Sequence, residues 1–245
     1  MHASSSAPPT IVFVHGAFSD ASSWAAVIRL LQAAGLTVCA PANPLRGLAH
    51  DAAYIGSVVR AIDTPVVLVG HDYGGSVITQ AAADADNVVA LCFVAAFSLD
   101  AGECVLDITN RFAPAPVADA TFTAVVPTLM WGGPDNELYI RRERFPQVYA
   151  ADLPPSLGKV LSVAQRPIAC NALTSRSGAP VWASKPSWYA IATADRILNP
   201  AAQRFMAQRM AATEHVLDAS HAVALSQPYA VAAMIREAAG QGQQP

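Results

Sequence analysis

Charged residues are scarce in this chain, and no cluster of basic residues occurs in it. They make up 13% of the 245 residues, and the net charge is −3. A surface that binds nucleic acid or an anionic membrane needs a stripe or patch of Lys and Arg. The composition therefore argues against both kinds of partner.

The patterns of redox-active cysteines and of metal sites are also missing. None of the cysteines forms a C-x-x-C pair, and two of them lie in apolar runs typical of buried free thiols; the full set is Cys39, Cys92, Cys104 and Cys170. Neither H-E-x-x-H nor a Cys/His cluster occurs. We therefore expect neither a metal nor another cofactor.

No run of about 18 apolar residues is present, so no membrane span is predicted. The first residues, MHASSSAPP, lack the basic and apolar segments of a secretory signal, so we expect a cytoplasmic protein. Hydrophobic residues are abundant, at 53%, which permits a large buried core. The length suits one domain with an inserted segment.

Short apolar, β-rich runs alternate with helical patterns along much of the chain. The run TIVFVHG ends at a glycine, and the helical pattern SSWAAVIRLLQAAG follows it. Continuous apolar strands separated by helices are typical of a parallel sheet with helices on both faces. We predict an α/β fold with a mainly parallel six-stranded sheet, whose strands lie near residues 11–14, 37–40, 66–70, 89–94, 187–192 and 214–218.

The alternation stops between residues 98 and 185. This segment holds many prolines, scattered aromatic residues and no strong β run, with helical fragments near 134–150 and 155–165. A segment of this length between two strands is usually a functional insertion. We therefore predict a core of residues 1–97 and 186–245, with an inserted helical lid over residues 98–185.

The stretch VLVGHDYGG, residues 68–76, predicts a strand that runs into a sharp turn. Its centre fits G-x-Nu-x-G, a pattern that presents a nucleophile between a strand and a helix, and the presented residue is Asp72. The alternative is an ordinary turn or N-cap aspartate.

Two further candidates follow later strands: Asp195 in TADRILNP and His221 in DASHAVALSQP. Singly, they could be a turn residue and a loop histidine. The chain order nucleophile, acid, histidine matches the pattern above, and ligands gather beyond the carboxyl ends of parallel strands. We expect the three to converge, with Asp100 as the alternative acid. His15 and His71 are interpreted as structural neighbours.

Six segments of the chain resemble the α/β-hydrolase fold superfamily: PTIVFVHGAFSDASSW, APANPLRGL, PVVLVGH-x-YGG, VAAFSLDAGE, PSWYAIATADRILNP and DASHAVALSQP. They are similar to small bacterial esterase-like hydrolases, which carry serine at the turn. The turn GHDYGG instead resembles epoxide hydrolases and haloalkane dehalogenases, whose nucleophile is aspartate. The resemblance implies an oxyanion hole formed by the backbone N–H groups of Ala17 and Tyr73.

An aspartate at this turn favours attack on an sp³ carbon. With an ordinary pKa of about 3.9 it is ionised at neutral pH and forms an alkyl-enzyme ester without a base. His221, oriented by Asp195, would then activate water. Attack on a carboxylic ester would give a mixed anhydride that collapses backward. We therefore predict a hydrolase with an Asp-His-Asp triad that opens an epoxide or a similar electrophile.

Three alternatives stay open: a haloalkane dehalogenase, an esterase-like relative whose serine has been replaced, and a non-catalytic binding protein. Dehalogenases usually hold halide with Trp and Asn, where this chain has Tyr73 and Ala17. The H-G-x-P motif of epoxide hydrolases is absent because Phe18 replaces the proline. Lid tyrosines Tyr139 and Tyr149 could protonate an epoxide or merely pack.

The lid predicts a pocket for a small apolar organic substrate. Such pockets exclude water and hold a mostly apolar ligand. The expected wall consists of lid aromatics above and two core aromatics below: Trp131, Tyr139, Tyr149 and Trp182, with Phe18 and Tyr73.

Overall fold

The structure, a computed structural model, describes residues 7–128 and 133–240. Its strands are β1 (Thr10–Val14), β2 (Val38–Cys39), β3 (Val66–Asp72), β4 (Val88–Ala96), β5 (Thr121–Thr128), β6 (Gly133–Ile140), β7 (Ile168–Ala169), β8 (Ser187–Ala192) and β9 (Thr213–Leu217). Six of them form one parallel sheet in the order β2-β1-β3-β4-β8-β9. The predicted parallel sheet is confirmed.

Helices separate these strands and cover both faces of the sheet. They are α1 (Ala25–Ala33), α2 (Leu48–Arg60), α3 (Tyr73–Ala81), α4 (Val105–Arg111), α5 (Phe145–Val148), α6 (Pro155–Ala164), α7 (Cys170–Thr174), α8 (Pro200–Arg209), α9 (Val223–Ser226) and α10 (Pro228–Ala238). Short 3-10 helices span Ala21–Trp24, Pro116–Ala120 and Val181–Ala183. Within the described part of the chain, no helix has the length and apolar character needed to cross a membrane.

Alternate side chains of each strand enter two separate cores, as the pleat of a strand requires. In β1, Val12 and Val14 belong to the core that includes residues of α2, α3 and α8, whereas Ile11 and Phe13 belong to the core that includes residues of α1 and α10. All four are fully buried. The apolar run of β1 is continuous because helices cover both faces of the sheet. A site can therefore form at the ends of the strands, which the helices leave uncovered.

The inserted segment, residues 98–185, differs from the prediction in part. The helix predicted near 155–165 is present as α6, but residues 134–140 belong to β6 and only 145–148 are helical in the other fragment. Strand β6 pairs antiparallel with β5 and β7 in a second, three-stranded sheet. Pairing with the β-branched run TFTAVV of β5 overrides the weak local helical pattern.

Candidate active site

Asp72 ends β3 in a strained backbone conformation, with φ 50° and ψ −126°. Such a conformation costs a non-glycine residue roughly 1–3 kcal/mol and persists only where its surroundings enforce it. Helix α3 begins at the next residue. The backbone around this turn is packed so closely that the two flanking positions require glycine. A Cβ on Gly70 would lie 2.7 Å from the carbonyl oxygen of Gly74, and a Cβ on Gly74 would lie 2.3 Å from the carbonyl oxygen of Val14.

The loop after β1 passes directly beside the Asp72 side chain. A Cβ on Gly16 would lie 2.4 Å from the Asp72 Cβ, so only glycine permits this approach. The next residue, Ala17, donates its backbone N–H to Asp72 Oδ2 at 2.8 Å. The backbone N–H of Tyr73, at the start of α3, also lowers the pKa of this carboxylate. One of the two amides predicted to stabilise an oxyanion therefore binds Asp72 itself, and the other stabilises its charge.

His221 lies between the two carboxylates named from the sequence. Its Nδ1 is 2.8 Å from Asp195 Oδ2, and its Nε2 is 3.8 Å from Asp72 Oδ1. The imidazole is fully buried, and Nε2 has no hydrogen-bond partner within the described residues. The structure thus brings the three candidates together in one row, with the imidazole in the middle.

Asp195 is held by four donors. Its Oδ1 accepts the N–H groups of Ile197 at 2.7 Å and Leu198 at 3.0 Å, and its Oδ2 accepts Gln203 Nε2 as well as His221, both at 2.8 Å. Asp100, the alternative acid, instead accepts the N–H of its neighbour Ala101. The geometry selects Asp195 as the partner of the histidine.

Burial and charge pull the pKa values of these groups in opposite directions. Burial raises the pKa of Asp72, and the charge of His221 with the N–H groups of Tyr73 and Ala17 opposes the rise. Burial lowers the pKa of His221, but the charges of Asp195 and Asp72 and the Asp195 hydrogen bond outweigh it, so the net shift is upward. The net result is that the pKa values of Asp72 and His221 both lie above their ordinary values.

Two further histidines support this row through the backbone. His71 Nε2 is 2.9 Å from the His221 carbonyl oxygen, and burial, with the charge of His221, holds the pKa of His71 well below its usual range. His15 Nε2 accepts the backbone N–H of Asn43 at 2.9 Å. The His15 contact requires a neutral ring because its Nε2 must accept, whereas the His71 contact requires only a proton on Nε2.

A cavity of about 520 Å³ opens above Asp72. The floor is formed by Ala17, Phe18, Asp72 and Tyr73, and the described wall residues are mostly apolar: Phe97, Val105, Leu106, Thr109, Asn110, Phe112, Pro114, Ala115, Val117, Ala118, Thr121, Leu138, Ile168, Leu173 and Ile197. Tyr73 Oη does not serve the cavity, because it donates to the buried carboxylate of Asp51 at 2.9 Å. The remaining volume suits a small, mostly apolar molecule.

The aromatic wall predicted for this cavity requires correction. Tyr139, Tyr149 and Trp182 are not among its described lining, and Trp131 lies outside the described residues. Tyr139 donates to Glu137 and stacks on Phe122. Tyr149 packs on the His221 ring, and Trp182 donates its indole N–H to the carbonyl of Leu99. Aliphatic side chains of α4 and the second sheet take their place.

Sequence reasoning missed the residues that hold the histidine loop. Ser220 donates its N–H to Asp152 Oδ2 at 2.9 Å, its hydroxyl also bonds to Asp152, and Ala222 donates its N–H to the carbonyl of Tyr149 at 3.0 Å. The inserted segment supplies both acceptors. No spacing in the sequence marks Asp152, since the contact joins segments 68 residues apart.

Comparisons with known proteins agree with this architecture. Residues 11–234 match the model of the Alpha/beta hydrolase family. Polyneuridine aldehyde esterase is similar in structure at 18% identity and a TM-score of 0.80, over 92% of this chain and 97% of that one. A pyrethroid hydrolase from Sphingobium faniae JZ-2 is similar at 22% identity and a TM-score of 0.75, over 95% and 97%.

Tomato methylketone synthase I, solved with 2-tridecanone, is similar at 14% identity and a TM-score of 0.77, over 97% of this chain and all (100%) of that one. No curated protein sequence matches the chain. At these identities the structural likeness concerns the fold.

Proposed function

The chain belongs to the alpha/beta hydrolase family, and from that premise we propose that Asp72 is the nucleophile of a hydrolase acting on a small apolar epoxide. The substrate carbon is attacked by Asp72, and the resulting alkyl-enzyme ester is cleaved by water. The inserted segment, residues 98–185, serves as the lid over this reaction. One observation carries the proposal: Asp72 Oδ2 lies 2.8 Å from the nitrogen of Ala17, the residue whose N–H we expect to stabilise an oxyanion.

That placement favours aspartate chemistry over serine-type ester hydrolysis. In the serine mechanism, the two backbone donors bind the carbonyl oxygen of the substrate. Here Asp72 Oδ2 accepts the Ala17 N–H, so that donor is already engaged and is not free for a substrate carbonyl. The other oxygen, Oδ1, is left for attack. The same two amides then stabilise the charge that develops on Oδ2 when water adds to the Asp72 carbonyl carbon.

The reaction balances in two steps. Asp72 Oδ1 forms a bond to an epoxide carbon, the carbon–oxygen bond of the ring breaks, and the epoxide oxygen leaves as an alkoxide that takes a proton from water. The carboxylic acid that the second step regenerates at Asp72 returns this proton to water. In the second step His221 Nε2 accepts a proton from water, and the hydroxide adds to the ester carbon of Asp72. Collapse breaks the bond between that carbon and the alkyl oxygen, and the proton on His221 passes to the departing diol.

Esterification itself prepares the base for the second step. The negative charge of Asp72 is one of the causes that raise the pKa of His221. Forming the ester removes that charge, so the pKa of His221 falls and the neutral imidazole that water activation requires becomes more populated. The Asp195 side chain, hydrogen-bonded to the other ring nitrogen, stabilises the imidazolium that forms.

A halide is the second candidate leaving group, on the strength of Asn110. Asn110 is one of the few polar residues in the described cavity lining, whereas the Thr109 hydroxyl donates to the Val105 carbonyl at 2.9 Å. Tyr139 and Tyr149, the acids expected for an epoxide, do not line the cavity. An amide N–H stabilises a departing chloride as well as an alkoxide.

Ester hydrolysis is the third candidate, because an esterase and a pyrethroid hydrolase are among the similar structures. In that case His221 would activate water directly against a substrate ester. Methylketone synthase I, solved with 2-tridecanone, shows that a protein of this shape accommodates a long apolar chain. That observation supports an apolar substrate in any of the three reactions.

Isotope labelling separates these reactions. Wild-type protein is given a panel of terminal epoxides, haloalkanes and aryl esters in ¹⁸O water, and the peptide that contains Asp72 is weighed. We expect ¹⁸O to enter Asp72 over repeated turnovers of an epoxide. Turnover without label in Asp72 would show that water attacks the substrate directly. Recovery of ester hydrolysis in Asp72→Ser would support the esterase alternative, and binding without turnover would support a non-catalytic protein.

A further inference from the structure

The side chain of Gln203 lies against Asp195 and is fully buried. Its Nε2 donates to Asp195 Oδ2 at 2.8 Å and to the Leu198 carbonyl at 2.9 Å, and its Oε1 accepts the Ala192 N–H at 2.9 Å. The nitrogen faces two acceptors and the oxygen faces a donor. Only one orientation of the amide satisfies all three contacts, so its donor is fixed toward Asp195.

Gln203 and His221 share one oxygen of Asp195. The imidazole Nδ1 and the amide Nε2 are each 2.8 Å from Oδ2. The other oxygen is held by the two backbone N–H groups of Ile197 and Leu198. The Asp195 side chain is fully buried, so these four donors carry the whole solvation of its charge.

We propose that Gln203 is a positioning residue of the active site, which holds Asp195 toward His221 and weakens the pull of the shared oxygen on the imidazole proton. A hydrogen bond to a carboxylate spreads its charge, so a second donor on the same oxygen makes it a poorer acceptor for the first. In the proposed reaction, on which this consequence rests, Gln203 sets how readily His221 accepts a proton from water.

Gln203 makes no hydrogen bond to His221 itself or to the other described groups that face the imidazole, apart from Asp195. Asp195 and Asp72 face its two ring nitrogens, the His71 ring lies 4.5 Å away between centroids, and the Tyr149 ring lies 5.0 Å away. The hydrogen bonds of Gln203 go to Asp195, Leu198 and Ala192. An effect of Gln203 on the imidazole therefore acts through Asp195.

The test is a titration of His221 by NMR in wild type and in Gln203→Met. Methionine has a similar length and no donor, and the two backbone N–H groups keep Asp195 in place. We expect the pKa of His221 to rise by roughly 0.5 to 1 unit, because the shared oxygen now has one donor. Gln208→Met, the same change at an exposed position of α8, serves as the matched control and should leave it unchanged.

An unchanged or lowered pKa in Gln203→Met would overturn the proposal. Should that variant fail to fold, the wild type still decides the question. The side-chain amide resonances of Gln203 should then shift with the same midpoint as the His221 ring, since both bond to one oxygen. Amide resonances that ignore the titration of His221 would count against the shared contact.

A kinetic experiment connects the titration to the reaction. In Gln203→Met, the pH below which hydrolysis of the Asp72 ester fails should move upward with the pKa of His221. A pH limit that does not move overturns the proposed role. If no adduct forms on Asp72 under any condition, the proposed function fails, and the NMR titration still decides whether Gln203 acts on His221.

Discussion

The sheet core and the inserted segment contribute to the site in different ways. The core supplies the three groups in the row, and each is fixed by hydrogen bonds of 2.7–3.0 Å to its own loop or to a neighbouring strand end. The inserted segment supplies aliphatic wall residues such as Leu138 and Leu173, and its residues 149–152 hold the histidine loop. We therefore expect the core to determine the chemistry and the insertion to contribute to the choice of substrate.

Among substitutions in the core and in the insertion, we expect replacement of Asp72, the proposed nucleophile, to have the largest effect on turnover. Asp72→Asn keeps the shape of the side chain but removes the attacking charge, so we expect turnover to fall by about 10⁴-fold or more. Substrate binding in the apolar cavity should change little. Turnover is measured with the best substrate of the panel, and binding by its protection of the protein against thermal unfolding. Activity within tenfold of wild type would remove Asp72 from the chemistry.

Replacement of Asp195, the carboxylate on the other side of His221, should have the next largest effect on the reaction. Asp195→Asn removes a charge that raises the pKa of His221, so that pKa should fall, and the ester hydrolysis step should slow by about 10²–10⁴-fold. Below its pKa His221 is protonated and cannot act as a base. The low-pH limit of hydrolysis should therefore move to lower pH. Single-turnover kinetics from pH 4 to 9 measure both effects, and Asp100→Asn is the control.

Substitution of a glycine by alanine should destabilise the protein more in the core than in the insertion. Gly74→Ala places a Cβ 2.3 Å from a strand carbonyl oxygen, and we expect it to lower the free energy of unfolding by about 2–4 kcal/mol. Gly158→Ala on α6 places a Cβ 3.0 Å from the Pro146 side chain, and helix propensity offsets part of this crowding. We expect a change below about 1 kcal/mol there. Urea denaturation compares the two; equal losses would contradict the distinction.

Truncation of a cavity-lining side chain of the insertion should have the smallest effect on the kinetics. Leu138→Ala removes apolar surface from the cavity without touching the reacting groups, so KM should rise by roughly three- to tenfold with kcat unchanged. Leu157→Ala, on α6 and outside the described lining, is the matched control. A fall in kcat for Leu138→Ala, with KM unchanged, would show that the insertion takes part in the chemistry.

The core was predictable from sequence because each of its signals is local. Buried parallel strands appear in the sequence as continuous apolar runs, and the glycines on either side of Asp72 predict the sharp turn. Convergence of Asp195 and His221 followed from strand-end placement, and the structure brings both to Asp72. Assigning their roles from that geometry remains a prediction.

The insertion was harder to predict because its structure depends on pairing between distant segments. Residues 134–140 have a weak helical pattern, and only the antiparallel partner β5 makes them a strand. Tyr149 was expected in the cavity, but its ring packs edge-on against the His221 ring, with the ring centroids 5.0 Å apart. Gln203 gave no signal, since an amide on a helix is ordinary until its distance to Asp195 is known.

The central claim is that Asp72 forms a covalent ester, and trapping that ester tests it most directly. His221→Ala should still be alkylated but should lack the base that hydrolyses the adduct. Loss of His221 also removes a charge that lowers the pKa of Asp72, so the incubation is run at pH 8 to keep the carboxylate ionised. The probe is the apolar epoxide that wild type hydrolyses best, and Asp72→Asn is the control.

The account predicts that the Asp72 peptide of His221→Ala gains the mass of one epoxide molecule, and that the Asp72→Asn protein gains none. No mass gain on that peptide, under conditions in which wild type turns over the same epoxide, would contradict it.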